Sequence, residues 1–511
     1  MTGPSILYLD ETEPDVVLVA SQPQCFPDLN LDAVVAAITA GKEEYDLTPF
    51  FRTPLRTMES VRFRQAVMRD LEIPANMLAL KTFAQRMQTI RNGILRTSKR
   101  YHPLQKMRSF MDSVLVYGDA VVWLAAELSR LSLPSLGLSR IRDYVQAYAA
   151  SPAFDDLMGE AQALVAQLAA IRYDILIRGL QIEVRPHIGA PDYGAQIAAL
   201  FDRFEREGSK DYVFDFGKGE DVNAIEGNIL NLVAKTHPQA FGRLAEFCEV
   251  AANFLDETIV RFDRESQFYV SYLDHIGHLR ELGLSFCYPV VRSNDKSVMA
   301  RDCFDLALAG KLAADKKTPV PNDFCLEGAE RILVVTGPNQ GGKTTFSRSF
   351  AQLHYLASLG CPVPGSEVQL YLPDHIFTHF ERAESATSQT GKLQDDLLRI
   401  HEILGQATSR SIVIINEIFA STTLTDAITL SRKIADRIGQ LDLLCVWVTF
   451  IDEIATLNEK TVSMVSAVDP DVPERRTFKI ERKAADGLAY AQSLARKYRL
   501  THDQILARVR A

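Results

Sequence analysis

The chain has 511 residues, 47% of them hydrophobic and 24% charged, and a formal net charge of -9. That is enough chain for about two to four domains with real cores. Its acidic balance argues against a surface given over to nucleic-acid phosphate, while leaving room for a local basic patch. The seven cysteines are scattered without a C-x-x-C pair, the usage of reduced thiols in a cytoplasmic protein. The N-terminus carries early acids rather than a leader, and no apolar run is read as membrane-spanning, so a soluble cytoplasmic protein with no membrane contact is expected.

Residues 1–50 read as a short N-terminal segment of strand-like and acidic pieces, with Asp32 as the cap of a short helix ending at Gly41. From 51 to 288 the spacing is mainly helical. Met107, Met111, Val114, Gly118, Val121, Ala125 and Leu128 form one apolar stripe, closed by Pro134; Leu157, Ala161, Leu164, Leu168 and Ile171 form a second. Such stripes suit a lever or a packed bundle equally well. "YDILIRGLQIEVRPHIGAPDYG" breaks the pattern as a strand followed by a Gly/Pro loop, and helix resumes near Asn228. Residues 173–226 therefore read as a short, clamp-like insert, with more acidic than basic side chains. Basic clusters lie elsewhere, at Arg52, Arg56, Arg62, Arg64 and Arg69, and at Lys99, Arg100, Lys106 and Arg108. The arginines Arg52, Arg56, Arg62 and Arg64 are the candidates for contacting DNA.

From residue 289 to 511 the grammar becomes α/β. The apolar strands "RILVVT", "SIVIIN" and "LLCVWVTF" alternate with amphipathic helices, as in a mainly parallel sheet covered by helices. Between a strand and a helix, Gly337, Gly341, Gly342, Lys343 and Thr344 satisfy G-x-x-x-x-G-K-[ST]. Glycines in this spacing let backbone N–H groups face phosphate; the lysine reaches the outer phosphates and the hydroxyl of Thr344 can ligate Mg²⁺. Lys343 is expected to face solvent until a phosphate arrives. Glu417 closes "SIVIIN", where a carboxylate can orient or deprotonate an attacking water.

The stretch "TGPNQGGKTTFSRSF" resembles the ATPase motif of MutS mismatch-repair proteins, including Pro338 and Asn339. "TPVPNDFCL", "LASLGCPVPGSEVQL", "DHIFTHF" and "TFKIERKAADGLAYAQSLARKYRLTHDQILARV" resemble further stretches of that family, as do "YLDHIGHLRELGLSFCYPVV" and "FRTPLRTMESVRFRQAVMRDLE" earlier in the chain. The resemblance implies an ABC-type P-loop ATPase domain at the C-terminus, preceded by a mainly helical core and lever domain. It implies a homodimer that binds ATP with Mg²⁺ and holds DNA far from the nucleotide. By resemblance, Gly337, Pro338, Asn339, Gly341, Gly342, Lys343, Thr344 and Thr345 would hold ATP, Thr344 and Asn416 would face the metal, and Glu417 would be the catalytic base. Ser421, Thr422 and Asp426 would face the partner subunit's ATP, and Phe450 would stand at the switch position.

The departures from the pattern are specific. Where the family writes D-E-x-G-R-G-T, this chain writes Asn416-Glu417-Ile418-Phe419-Ala420-Ser421-Thr422, and the family's T-H is Thr449-Phe450. Its S-T-F-x-x-E segment corresponds to Gly391-Lys392-Leu393, and no F-x-E mismatch wedge precedes residue 50. These changes point to slow ATP hydrolysis and away from specific mismatch reading; the resemblance implies a dimeric switch with DNA binding, mismatch repair-like or at branched or distorted DNA. The alternative is an ATP-dependent dimeric switch that binds a protein partner and not DNA.

Overall fold

The computed structural model describes residues 3–9, 21–179, 181–187, 189, 222–381, 391–468 and 476–485, with a few positions beyond 501. Most of the acidic insert and the family-like closing helix lie outside the described residues. The chain divides into two compact units. One comprises 75–133 and 140–263 and is helical; the other gathers 1–74, 134–139 and 264–511 and carries the sheets. This grouping differs from the boundaries read at 50 and 288.

In the helical unit, the helix Pro103–Arg130 buries Met111, Val114, Tyr117, Val121, Leu124 and Leu128. The stripe read from sequence is thus used in packing, with Tyr117 and Leu124 replacing the half-buried Met107 and Ala125. By length and composition alone this helix could cross a membrane, contrary to the expectation that no run would reach that length. Gly118 permits close approach to the helix Pro152–Ala169: a Cβ there would lie 2.1 Å from the Met158 methyl. Tyr117 also accepts a hydrogen bond from the Asp256 amide at 3.0 Å, and its ring meets Phe254 edge-on. Where one strand was expected, two form an antiparallel hairpin, β1 (Tyr173–Arg178) and β2 (Gln181–Pro186), with Gly179 at φ +63° in the turn.

In the sheet unit, the N-terminal segment is tucked in. Ile6 and Leu7 are buried, and Glu265 accepts from the Ser5 hydroxyl and the Ile6 amide. Leu31–Thr39 is a helix capped by left-handed Asn30, so Asp32 sits in its first turn rather than at the cap. The strands that follow are β3 (Phe286–Cys287), β4 (Val290–Arg292), β5 (Val298–Cys303), β6 (Asn322–Leu326), β7 (Ile332–Thr336), β8 (Val363–Pro364) and β9 (Glu367–Tyr371). After them come β10 (Ile376–Phe380), β11 (Ile412–Asn416), β12 (Leu444–Val448), β13 (Thr461–Val468) and β14 (Arg476–Arg482).

Four of these strands form a sheet in the order β4-β9-β5-β6, and six form the central sheet, β10-β11-β12-β7-β13-β14. The first five strands of the central sheet are parallel and β14 runs antiparallel at the edge. Parallel strands need helical crossovers that cover the sheet, which is why β7, β11 and β12 are buried at every position. One face packs Trp447, Ile415, Val413 and Val334 against the helices Lys392–Gln406 and Leu424–Leu441. Because β7, β11 and β12 are parallel, the glycine loop, Asn416-Glu417 and Thr449-Phe450 all leave the sheet at the same carboxyl edge, where open α/β sheets hold ligands.

Candidate functional site

The loop 337–342 turns sharply after β7 because its glycines occupy space that no side chain can. Gly337 has φ +117°, and a Cβ on it would meet Ser466 Cβ at 2.9 Å. A Cβ on Gly341 would lie 2.3 Å from Ser466 Oγ, which itself donates to the Gly341 carbonyl at 2.8 Å. The loop is therefore pressed against β13 by Ser466, a residue that carries no motif signal. Gly342, at φ +92°, opens the helix Lys343–Ser358. The amino end of that helix carries unsatisfied N–H groups and a partial positive charge suited to an anion.

Lys343 does not face solvent. It is 4% exposed, and its ammonium donates to the carbonyls of Gly337 at 2.9 Å and Pro338 at 3.1 Å. The Phe450 ring covers the same ammonium, with its centroid 4.6 Å away. Burial lowers the Lys343 pKa below the usual lysine value; the nearby Glu417 acts in the opposite sense. Thr344 donates its hydroxyl to Asn416 Oδ1 at 3.0 Å, so the two residues that the resemblance places at the metal are in contact.

Glu417 follows with φ +57°, its amide donating to the Val448 carbonyl at 2.9 Å. Burial raises its carboxyl pKa above the usual value; Lys343 offsets part of this, and Glu381 adds to it. A cavity of about 520 Å³ is lined by Gly341, Gly342, Lys343, Thr344, Thr345 and Glu417 on one side. Its other wall is apolar, from Leu308, Leu312, Val320 and Phe478. Asn322 holds that wall together: its amide donates to the Phe478 carbonyl at 3.1 Å and its oxygen accepts from the Ile480 amide at 2.7 Å. The "VPND" spelling was visible in the sequence; what Asn322 holds was not.

The remaining candidates separate. Pro338 is buried and Asn339 exposed. Ser421 and Asp426 are exposed and Thr422 is half-buried, none of them lining the cavity. Asp426 is engaged locally, accepting from the Thr423 hydroxyl at 2.8 Å in the first turn of the helix Leu424–Leu441. Among the arginines, Arg56 and Arg62 are exposed and Arg52 is half-buried. Arg64 must be withdrawn as a DNA contact. It is fully buried, donates to the Leu7 carbonyl at 2.9 Å and the Leu359 carbonyl at 3.3 Å, and lies 5.3 Å from the rings of Tyr8 and Phe268. Its place on the helix Met58–Leu71, in step with Val61, Met68 and Leu71, already put it on the buried face.

Residues 333–495 match the family model described as MutS domain V. Over 177 residues the chain is 30% identical to a protein named DNA mismatch repair protein MutS from Bacillus cytotoxicus, covering 34% of this chain and 20% of that one. A protein of the same name from Lawsonia intracellularis is 33% identical over 153 residues, 28% of this chain and 17% of the relative. The matched region thus spans about a fifth of these relatives' length.

Proposed function

We propose that the chain is a member of the MutS family through the region matching its domain V, and that it binds ATP with Mg²⁺ and hydrolyses it slowly as a dimeric switch. The observation that carries this reading is that Lys343, Thr344 and Glu417 line one cavity together with the apolar Leu308, Leu312, Val320 and Phe478, with Asn416 bonded to Thr344 beside it. The apolar wall suits a nucleotide base, stacked or packed against Phe478. The loop and the helix's amino end suit the phosphates, and the fold in this reading is an ABC-type P-loop domain.

Lys343 leaves the carbonyls of Gly337 and Pro338 to meet the outer phosphates. Glu417 accepts a proton from the attacking water. Burial raises its pKa above the usual carboxylate value, which makes it a stronger base than an exposed glutamate. Thr344 Oγ1 and Asn416 Oδ1 are hard oxygen donors and fit Mg²⁺, although neither is charged, so the anionic ligands come from the nucleotide. When bound, the ion would offset phosphate charge. Lacking a carboxylate at position 416, the chain itself holds the metal side less tightly.

A homodimer completes the cage, with Ser421, Thr422 and Asp426 presented to the partner. A part in mismatch repair is suggested by the relatives' names, and binding of branched or distorted DNA by the resemblance in sequence. The net charge of -9 and the burial of Arg64 favour a second reading, in which the switch engages a protein and not DNA. The deciding experiment measures sedimentation of the Glu417→Gln protein with and without ATP, then titrates labelled duplex, mismatched and branched DNA at two salt concentrations. A monomer under saturating ATP sinks the dimeric switch. DNA binding in none of these conditions sinks the DNA reading and leaves the protein partner.

A further inference from the structure

Glu417 opens a turn seldom built without glycine. Glu417 at φ +57° and Phe419 at φ +64° are both left-handed, a conformation that bulky L-residues adopt only when their surroundings impose it. Three contacts impose it here. The Glu417 amide is held by the Val448 carbonyl. The Phe419 ring is 2% exposed, packed in the core with Ile415, Ile418 and Trp447. The Phe419 amide, two residues past Glu417, donates to Asp396 Oδ2 at 3.3 Å.

Asp396 comes from a different element, the second turn of the helix Lys392–Gln406. Its other oxygen, Oδ1, lies 3.3 Å from His379 Nε2 on β10, a ring only 1% exposed. His379 pairs in the sheet with Ile415, and the next residue pairs with Asn416. The helix is fastened to the same strand end by Arg399, which donates to the carbonyls of Phe380 and Thr378, each at 3.0 Å. Asp396 therefore lies beside a buried histidine on one strand and bonds to the strained turn on the next.

We infer that Asp396 is a positioning residue for Glu417. It pins the Phe419 amide, fixes the left-handed turn and so aims the Glu417 carboxylate into the cavity. This rests on the reading of Glu417 as the group that handles water.

The test uses the full chain with Asp396→Ala and Asp396→Asn. Asparagine keeps an acceptor oxygen for the Phe419 amide; alanine does not. Two quantities are read: hydrogen exchange of the segment 417–422, and single-turnover ATP hydrolysis alongside ATP affinity. With alanine, exchange in the turn is expected to quicken at least about tenfold and hydrolysis to fall about tenfold or more, with ATP affinity within about twofold of the unaltered protein. Asparagine is expected to restore most of both. Unchanged exchange in the alanine protein overturns the inference. So does a parallel loss of affinity and rate, or a failure of asparagine to rescue. An unaltered protein that binds ATP without hydrolysing it defeats the hydrolytic reading before any substitution is made, and the exchange arm then still decides whether Asp396 holds the turn.

Discussion

The ammonium of Lys343 lies 4.6 Å from the centre of the Phe450 ring and is bonded at the same time to the carbonyls of Gly337 and Pro338. The lysine that the proposed function brings to phosphate is thus bonded to its own loop and covered by the residue two positions past β12. A cation over an exposed aromatic face is stabilised by about 0.5–1 kcal/mol. Phe450 is 51% exposed, so this lower range applies. Replacing Phe450 by Leu should release Lys343 and tighten ATP binding by about two- to fivefold. Titration with a fluorescent nucleotide checks it, and an affinity that stays the same or weakens refutes the holding role.

Removing Lys343 should do two things. Lys343→Ala is expected to abolish nucleotide binding, and also to lower stability by about 0.5–1.5 kcal/mol, because the Pro338 carbonyl loses one of its two donors and keeps only the Gly341 amide at 3.3 Å. Equilibrium dialysis reports the first effect and a thermal melt the second. An unshifted melt would mean that the two carbonyls find another donor, and retained binding would remove Lys343 from the site.

Arg64 and Arg62 are two residues apart in sequence and opposite in environment. Arg64→Ala strips donors from the carbonyls of Leu7 and Leu359 inside the protein and should lower stability by at least about 2 kcal/mol. Arg62→Ala, at an exposed position, should stay within about 0.5 kcal/mol of the unaltered protein. Denaturant melts of the two variants decide it. Any basic surface for DNA is then mapped at Arg56, Arg62 and Arg69, and a stable Arg64→Ala protein would reopen Arg64 as a contact.

Much of the site was legible because its grammar is local. The glycine loop is a contiguous motif, and the strands β7, β11 and β12 are short apolar runs that only a doubly covered sheet explains. Contacts between distant parts of the chain were not legible. Ser466 presses on the loop from 125 residues away, and Asp396 reaches Phe419 from a helix whose spacing says only that it is amphipathic. Arg64 is a different case: its helical phase with Val61, Met68 and Leu71 was present, but its charge outweighed its position. The hairpin at 173–186 was missed although Gly179 divides two alternating runs, the usual sign of a tight turn.

Glu417 should make stability depend on pH in a stated direction. Burial, the largest influence, raises its folded-state pKa above the usual 4.5, so the folded protein holds this proton more tightly than the unfolded chain does. Protonation of Glu417 therefore favours folding below 4.5, and this contribution is lost as pH rises through the raised value. At neutral pH the ionised carboxylate is a cost that glutamine avoids. Glu417→Gln should accordingly melt higher than the unaltered protein at pH 7.5, by a margin that shrinks as pH falls toward 4.5. A margin that grows on acidification would show that attraction to Lys343 outweighs burial. Hydrolysis by the unaltered protein should also fall away on the acid side with a midpoint above 4.5, because the base must be ionised.

The asparagine at position 416 bears most directly on turnover. Its Oδ1 accepts the Thr344 hydroxyl at 3.0 Å at the end of a strand buried throughout, the position to which the proposed function assigns the metal side. An amide oxygen accepts without a full charge, and charge-assisted hydrogen bonds are roughly twice as strong as neutral ones. Asn416→Asp puts that charge back without changing the side chain's size or its contact with Thr344. Before nucleotide arrives the new carboxylate is 8% exposed and paired only with a hydroxyl, so the variant should be slightly less stable on its own. With ATP present it should need less Mg²⁺ for half-maximal single-turnover hydrolysis and should run faster, each tenfold in rate corresponding to about 1.4 kcal/mol of transition-state stabilisation. Glu417→Ala should nearly abolish hydrolysis at every Mg²⁺ concentration. Product formation against Mg²⁺ for the three proteins separates the roles. An Asn416→Asp protein with unchanged Mg²⁺ dependence and rate would take position 416 off the metal side, and rapid turnover by the unaltered protein would remove the slow switch with it.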